Sequence, residues 1–176
     1  MEIRYRLTEE DYVQFNLFHI KHSKAARRTL AIQRVIPPVL FLLVAWVFAE
    51  IGHASFLGLL ITFSIMAVLW MIFYPSYFDR AIIRSAKRMV KDGNNEGLLG
   101  EHHLVMTEEG IVDSTSYGET KVSWGGIKAF KEDRNSFYLY NSAVSAYIIP
   151  KRELKNIEEI RSYLHTKLEP IESENK

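Results

Sequence analysis

A long block almost without charge dominates the first half of the chain. From Val35 to Phe78 the only charged side chain is Glu50. The block divides into two apolar stretches, Val35–Gly52 and Ala54–Tyr74, which as helices reach about 27 and 31 Å. Because a bilayer hydrocarbon core is about 30 Å thick, the sequence predicts two membrane spans joined by a short loop.

The alternative is a soluble protein with two helices at its centre. A helix that is apolar on all sides belongs either to a protein core or to a membrane. Every face of Ala54–Tyr74 is apolar, and the polar remainder of the 176-residue chain is too small to wrap two such helices. The pattern therefore favours the membrane.

Cations flank the block at both ends. The loop Glu50–His53 contains neither lysine nor arginine, so the positive-inside rule places both termini in the cytosol. Glu50 and His53 lie at this outer loop and are interpreted as solvated turn residues. Pro37 and Pro38 are expected in the first turn of span one, where the missing N–H groups cost little.

The flanking cations are candidates for contact with anionic lipid. After span two, Ser76–Asp92 is predicted to form a separate helix with one basic and one apolar face, which suits an anionic membrane surface. The same helix is also suited to packing on the cytosolic domain, and both readings stay open. The candidate lipid contacts are Arg27, Arg28, Arg80, Arg84, Lys87, Arg88 and Lys91.

The N-terminal segment precedes the first span. Glu2–Leu7 alternates polar and apolar residues and predicts a short strand. Thr8 heads a sequence typical of a helix start, and a helix is expected from Glu9 toward Arg34. His19 and His22 share a helical face, but two histidines without a third ligand do not indicate a metal site.

Beyond a linker at 92–97 the pattern changes to alternation with period two. Six short strands with tight turns indicate an antiparallel meander. The predicted strands are Glu101–Thr107, Ile111–Ser116, Thr120–Trp124, Ile127–Lys131, Ser136–Tyr140 and Val144–Ile149. An amphipathic helix from Lys151 to Lys167 follows, with its apolar side laid on the sheet.

The predicted fold class is therefore an α+β membrane protein. It combines a two-helix transmembrane hairpin with an antiparallel β-barrel or sheet closed by a C-terminal helix, the plan of pleckstrin-homology-like domains. Such a barrel needs about seven strands, and Glu2–Leu7 is available as the seventh. The predicted divisions are an N-terminal segment (1–34), the hairpin (35–75, with spans about 35–52 and 54–74), a basic helix and linker (76–97), the β domain (98–168) and a tail (169–176).

Several phrases of the sequence resemble the YcxB-like family of bacterial membrane proteins. They are Leu104–Ile111, Val122–Trp124, Phe137–Tyr140 and Ile148–Arg152, and the resemblance in the order of parts covers nearly the whole chain. The resemblance implies two membrane helices in the bacterial inner membrane and a cytosolic domain similar to bacterial pleckstrin-homology folds. It implies no activity and transfers no catalytic or binding residue.

The residues at the most specific positions of this resemblance have structural interpretations. Trp124 is expected to pack at the mouth of the barrel, and Ile148 and Ile149 to build a strand or core. Pro150 separates the last strand from the helix. Lys151 and Arg152 are expected in the first helical turn, exposed to solvent, where the helix dipole disfavours cations.

The sequence offers little chemistry. The chain has no cysteine, and its net charge of +1 argues against nucleic acid as a partner. His102 and His103 are adjacent in a predicted strand, so they point to opposite faces and do not chelate one ion together. No phosphate-binding glycine loop or nucleophile elbow is present. We therefore expect no enzyme, no cofactor and no metal site.

The expected function is that of a membrane-anchored cytosolic binding or scaffold module. Its partners are the lipid bilayer and an unidentified protein, and self-association is left open. The alternative is a structural or assembly subunit of a membrane complex that acts through its membrane helices. An oligomeric transporter is less favoured, because no charged residue lies at mid-span.

Overall fold

The computed structural model describes residues 1–52, 55–91 and 97–174, with side chains as far as residue 168. The described residues form an α+β protein with two long apolar helices and antiparallel sheets. The helices are α1 (Glu9–His22), α2 (Lys24–Gly52), α3 (Phe56–Lys91) and α4 (Ile157–Glu174). The strands are β1 (Glu2–Leu7), β2 (Gly100–Met106), β3 (Gly110–Thr115), β4 (Gly118–Ser123), β5 (Ala129–Glu132), β6 (Ser136–Tyr140) and β7 (Ala146–Pro150).

The strands form two separate antiparallel sheets. One has the order β1-β2-β3-β4 and the other the order β5-β6-β7. The seventh strand is indeed the N-terminal one, with Glu2 opposite Val105 and Leu7 opposite Gly100. The expected closed barrel is not formed in the described part of the chain. The chain passes from β4 to β5 through a short 3-10 helix, Trp124–Gly126, and β4 and β5 do not pair.

The chain divides into two compact units. The α/β unit comprises residues 1–18 and 86–176, and the helix pair comprises residues 19–85. Helices α1 and α3 each contribute to both units. The predicted linker at 92–97 lies mostly outside the described residues, as does His53 of the predicted loop.

The core of the α/β unit lies between the sheets and the two helices that cover them. Leu104 of β2, Phe137 of β6 and Leu164 of α4 are fully buried. Helix α1 covers the other side with Phe15, whose ring lies 5.5 Å from that of Tyr138. Burying large side chains from both termini of the chain makes the N-terminal strand and helix part of this domain.

The helix predicted from Glu9 to Arg34 is two helices. The break falls at Ser23, whose hydroxyl accepts a hydrogen bond from Ala26 N–H at 3.3 Å and so caps α2. Helix α2 then runs without interruption to Gly52, so that Pro37 and Pro38 lie in its interior rather than in its first turn. Likewise α3 runs from Phe56 to Lys91, and the predicted basic helix is its direct continuation.

Each of the two long helices donates a hydrogen bond to a carbonyl that a proline leaves without its helical donor in the other helix. A proline has no N–H, so the carbonyl four residues earlier loses its helical donor. Pro37 frees the carbonyl of Gln33, which accepts the indole N–H of Trp70 at 3.2 Å. Pro75 of α3 frees the carbonyl of Met71, which accepts Nε of Arg34 at 3.1 Å.

Most of the apolar surface of the helix pair faces away from protein. Both helices are long and apolar enough to cross a membrane, yet only 11% of the most apolar stretch of α2 and 6% of that of α3 is buried. The buried residues of the pair include the small side chains Ala45 and Ala67, as expected where helices approach closely, together with Pro38 and Tyr74. A Cβ added at Gly52 would point into open space, so the packing does not require a glycine there.

Candidate functional site

Lys151 lies inside the α/β unit, contrary to the expectation of an exposed cation. Its Nζ donates to Oε2 of Glu132 at 2.7 Å and to the carbonyl of Asp133 at 2.5 Å. The same ammonium group sits 4.5 Å from the centre of the Phe137 ring. The residue is buried because β7 carries it directly off Pro150 into a short 3-10 helix, and α4 begins only at Ile157.

Glu132 joins Lys151 to helix α4. Its carboxylate also accepts Nε and Nη2 of Arg161, at 3.0 to 3.1 Å. Burial by itself would raise the pKa of Glu132, but the two cations outweigh burial and hold the pKa below its ordinary value. The glutamate is therefore a charged structural link between β5, the 3-10 helix that follows β7, and α4.

Arg152 holds the N-terminal helix against the domain. Its guanidinium forms a two-point contact with the Asp11 carboxylate, with Nη2 donating to Oδ2 at 2.8 Å, and Nη2 also donates to the carbonyl of Arg6 at 3.0 Å. Asp11 is buried, and it also accepts the N–H and the hydroxyl of Thr8 at the start of α1. Burial acts to raise the pKa of Asp11, yet these donors lower it below its ordinary value. Arg152 is thus a structural clamp.

Trp124 ties three elements together. Its indole N–H donates to the carbonyl of Thr107 at 3.0 Å, and its ring meets Tyr163 of α4 edge-on at 6.1 Å. The nearby Gly110 has a steric role, because a Cβ there would lie 2.1 Å from the carbonyl oxygen of Val122. Ile148, Ile149 and Pro150 are buried in β7. All these family-like positions hold the fold together.

His102 and Asp113 form a buried pair that sequence patterns did not reveal. His102 Nδ1 lies 3.0 Å from Oδ2 of Asp113, its Nε2 lies 3.2 Å from the carbonyl of Leu98, and Tyr5 stacks on the ring at 5.2 Å. Both neighbours are acceptors, so both contacts are hydrogen bonds only for the imidazolium form. Burial lowers the pKa of His102, but Asp113 outweighs it and raises the pKa above its ordinary value.

The two adjacent histidines point to opposite faces, as predicted. His103 lies on the outer face and contacts Oε1 of Glu2 at 2.7 Å through Nε2. Among the residues that the structure describes, no cluster of three or more metal-ligating side chains occurs. A cleft of about 570 Å³ lies beside the Arg152–Asp11 clamp, with Arg134 exposed at its rim.

The seven cations proposed for lipid contact are all exposed. Within the helix pair, Arg84 donates through Nε to the carbonyl of Arg80 and lies 5.8 Å from the ring centre of Tyr77. Within the α/β unit, Lys87 pairs with Glu9 at 3.3 Å. The remaining cations of this set are Arg27, Arg28, Arg88 and Lys91, on α2 and α3.

The described residues thus define a protein class: an α+β domain accompanied by two helices of membrane-spanning length. The family model described as YcxB-like protein matches residues 107–165, about one third of the chain. That segment runs from the β2–β3 turn into α4, so the resemblance noted in the sequence is confirmed there. Neither the curated proteins nor the solved structures contain a match to this chain.

Proposed function

We propose that this protein is a membrane-anchored binding module. Helices α2 and α3 cross the bacterial inner membrane with both chain termini in the cytosol, and the α/β unit works at the cytosolic surface by binding rather than by catalysis. Seven strands in two sheets followed by a C-terminal helix support a pleckstrin-homology-like assignment for this unit.

One observation carries the proposal. Helix α3 passes without a break from exposed apolar side chains to exposed cations, and its last turn belongs to the α/β unit. Phe73 is 64% exposed, whereas Arg80 and Arg84 follow within three turns. Apolar side chains are most stable in the hydrocarbon core, and cations are most stable beside anionic head groups. A single helix that leaves the bilayer at the inner leaflet places each group in its favoured environment.

Binding is favoured over catalysis because the charged side chains inside the domain connect one structural element to another. Lys151, Arg152 and Glu132 are each engaged in contacts that join one element to another. The buried pair His102–Asp113 likewise joins β2, β3 and the segment before β2. Groups committed in this way stabilise a scaffold and do not present a nucleophile with its base.

The lipid contact is testable with the full-length chain reconstituted in anionic bilayers. Native mass spectrometry after gentle release counts the anionic lipids that stay bound. We expect a variant with Arg80, Arg84, Lys87 and Arg88 changed to glutamine to retain far fewer than the parent, and the parent to lose them with rising salt. A matched control replaces four exposed cations of the domain surface, Lys128, Lys131, Arg134 and Lys155. Equal retention by both variants contradicts the lipid contact.

Assembly through the membrane helices is the alternative function. Replacing residues 35–75 by an unrelated two-span hairpin distinguishes the anchor function from the assembly function. An unrelated hairpin can serve equally well as an anchor, but it cannot reproduce a specific assembly surface. The anchor proposal predicts that the replaced chain stays in the membrane and migrates in complexes of unchanged size on native gels. Loss of a larger complex supports assembly through the helices instead.

A further inference from the structure

Strand β4 is an open edge. It hydrogen-bonds to β3 on one side, and among residues 1–52, 55–91 and 97–174 no strand lies on its other side. Five of its six residues are exposed. An unpaired strand edge presents a row of N–H and C=O groups that another strand can extend.

The register of the β3–β4 hairpin tells which groups point outward. Thr115 pairs with Gly118 across a two-residue turn, and at the other end of the strand Trp124 N–H donates to the carbonyl of Glu109 at 3.2 Å. In an antiparallel ladder, alternate residues direct their backbone groups toward the same neighbour. The β4 residues that direct theirs to the open edge are Glu119, Lys121 and Ser123.

We propose that β4 pairs antiparallel with β4 of a second copy of this chain, with Thr120 on the two-fold axis. In this register Glu119 faces the partner's Lys121, and Lys121 faces the partner's Glu119. Both pairs join residues whose backbone groups point outward, so each makes two backbone hydrogen bonds. The four side chains lie on one face with alternating charge, since Glu119 and Lys121 of one copy already meet at 3.0 Å.

Charge favours this register over the registers that are shifted by two residues in either direction. Sliding the partner by two residues keeps the backbone ladder but places Glu119 opposite Glu119, or Lys121 opposite Lys121. Like charges directly opposite each other across strands are destabilising. The strand sequence is thus complementary to itself in one alignment, as an isologous dimer interface requires. Confinement of two copies to one membrane raises their effective concentration and favours a small interface of this kind.

The absence of native cysteines makes the register directly measurable. Thr120 is exposed, and its Cα would lie about 4.5 Å from that of the partner's Thr120, within disulfide range. Full-length Thr120→Cys protein in native membranes should therefore oxidise mainly to a disulfide dimer. Glu119→Cys should not, because its two copies are roughly 9 Å apart. Glu119→Cys mixed with Lys121→Cys should cross-link as a heterodimer.

Val144→Cys is the control for random collision, because Val144 is 71% exposed and lies outside β4, on the β6–β7 turn. Thr120→Cys cross-linking no stronger than that of Val144→Cys overturns the proposal. So does efficient Glu119→Cys homodimer formation, which would indicate another register.

A charge exchange separates contacts between copies from the contact within one copy. Adding Glu119→Lys or Lys121→Glu to Thr120→Cys should lower homodimer cross-linking about fivefold in each case. Both changes destroy the ion pair within the strand. When the two chains are mixed, however, every facing position again carries opposite charges, so the heterodimer should recover. Failure of the mixture to recover contradicts the pairing. The inference does not depend on the proposed lipid contact.

Discussion

The α/β unit and the helix pair differ in how far their side chains are buried. In the α/β unit even Lys151 is buried with its partners, and Leu104 is fully enclosed. In the helix pair large apolar side chains such as Leu43 and Phe73 are more than half exposed. The first unit therefore supplies its own core, whereas most of the apolar surface of the second is not covered by protein.

The sharpest contrast is between two leucines. Leu104→Ala in β2 empties a fully buried site and should cost about 3 kcal/mol of unfolding free energy. Leu43→Ala in α2, at a side chain 53% exposed, should leave the unfolding free energy almost unchanged. Urea titration of the full-length protein in detergent, followed by amide exchange in the sheets, measures both. Equal losses of unfolding free energy in Leu104→Ala and Leu43→Ala would contradict the distinction between the two units.

Lys151 tests whether the buried charges belong to the fold. Lys151→Met leaves the Glu132 carboxylate with Arg161 alone and should cost about 2 kcal/mol in the same titration. Glu132→Gln should cost less in the Lys151→Met background than in the parent, because one of the two cations that contact this carboxylate is then already gone. The control Lys155→Met alters an exposed lysine of the following segment and should be near neutral. An equal effect of Lys155→Met would contradict the structural role of Lys151.

Trp70 tests the repair of the proline gap between α2 and α3. Trp70→Phe keeps an aromatic ring but removes the donor to the Gln33 carbonyl. The unfolding free energy of the helix pair should therefore fall by about 1 kcal/mol. Trp46→Phe is the matched control, since Trp46 is 55% exposed. Unfolding of the pair in mixed detergent micelles measures both changes. Indistinguishable behaviour of the two variants refutes the repair.

The smallest expected effect is a pH dependence of the α/β unit. His102 lies between two acceptors, Asp113 and the Leu98 carbonyl; burial acts to lower its folded pKa, but these contacts raise the pKa above its ordinary value. Its contribution is therefore fully present below the unfolded pKa of about 6.5 and is lost as pH rises through the folded pKa. Unfolding titrations across this range should show the loss in the parent and not in His102→Gln. The control His165→Gln changes an exposed histidine and should keep the parent profile.

Local pattern predicted the strands well because alternation and turn residues are local signals. The strand at Ser136–Tyr140 was predicted with its observed bounds, and the N-terminal strand was available as the seventh. Helix breaks were less visible. The sequence contained the cap at Ser23, but the unbroken course of α3 depends on Arg34 satisfying the carbonyl that Pro75 frees.

The partners of the family-like residues were not predictable in this way. Lys151 and Arg152 were expected in solvent because the residues adjacent to them indicate a helix start; Arg152 is exposed, with its side chain 48% accessible, but Lys151 is buried. Glu132 and Asp11, which bind them, lie 19 and 141 residues away along the chain. Side-chain pairing over such separations depends on how the sheets pack, which no periodicity encodes.

The proposed function requires that the helix pair anchors the α/β unit at the cytosolic face of the membrane. Single cysteines at Glu50 and at Val144, in the otherwise cysteine-free chain, test it with a membrane-impermeant maleimide on intact spheroplasts. We expect Glu50→Cys to be labelled before lysis and Val144→Cys to be labelled only after lysis. Labelling of Val144→Cys on intact spheroplasts, or release of the protein from membranes by alkaline carbonate, would contradict it.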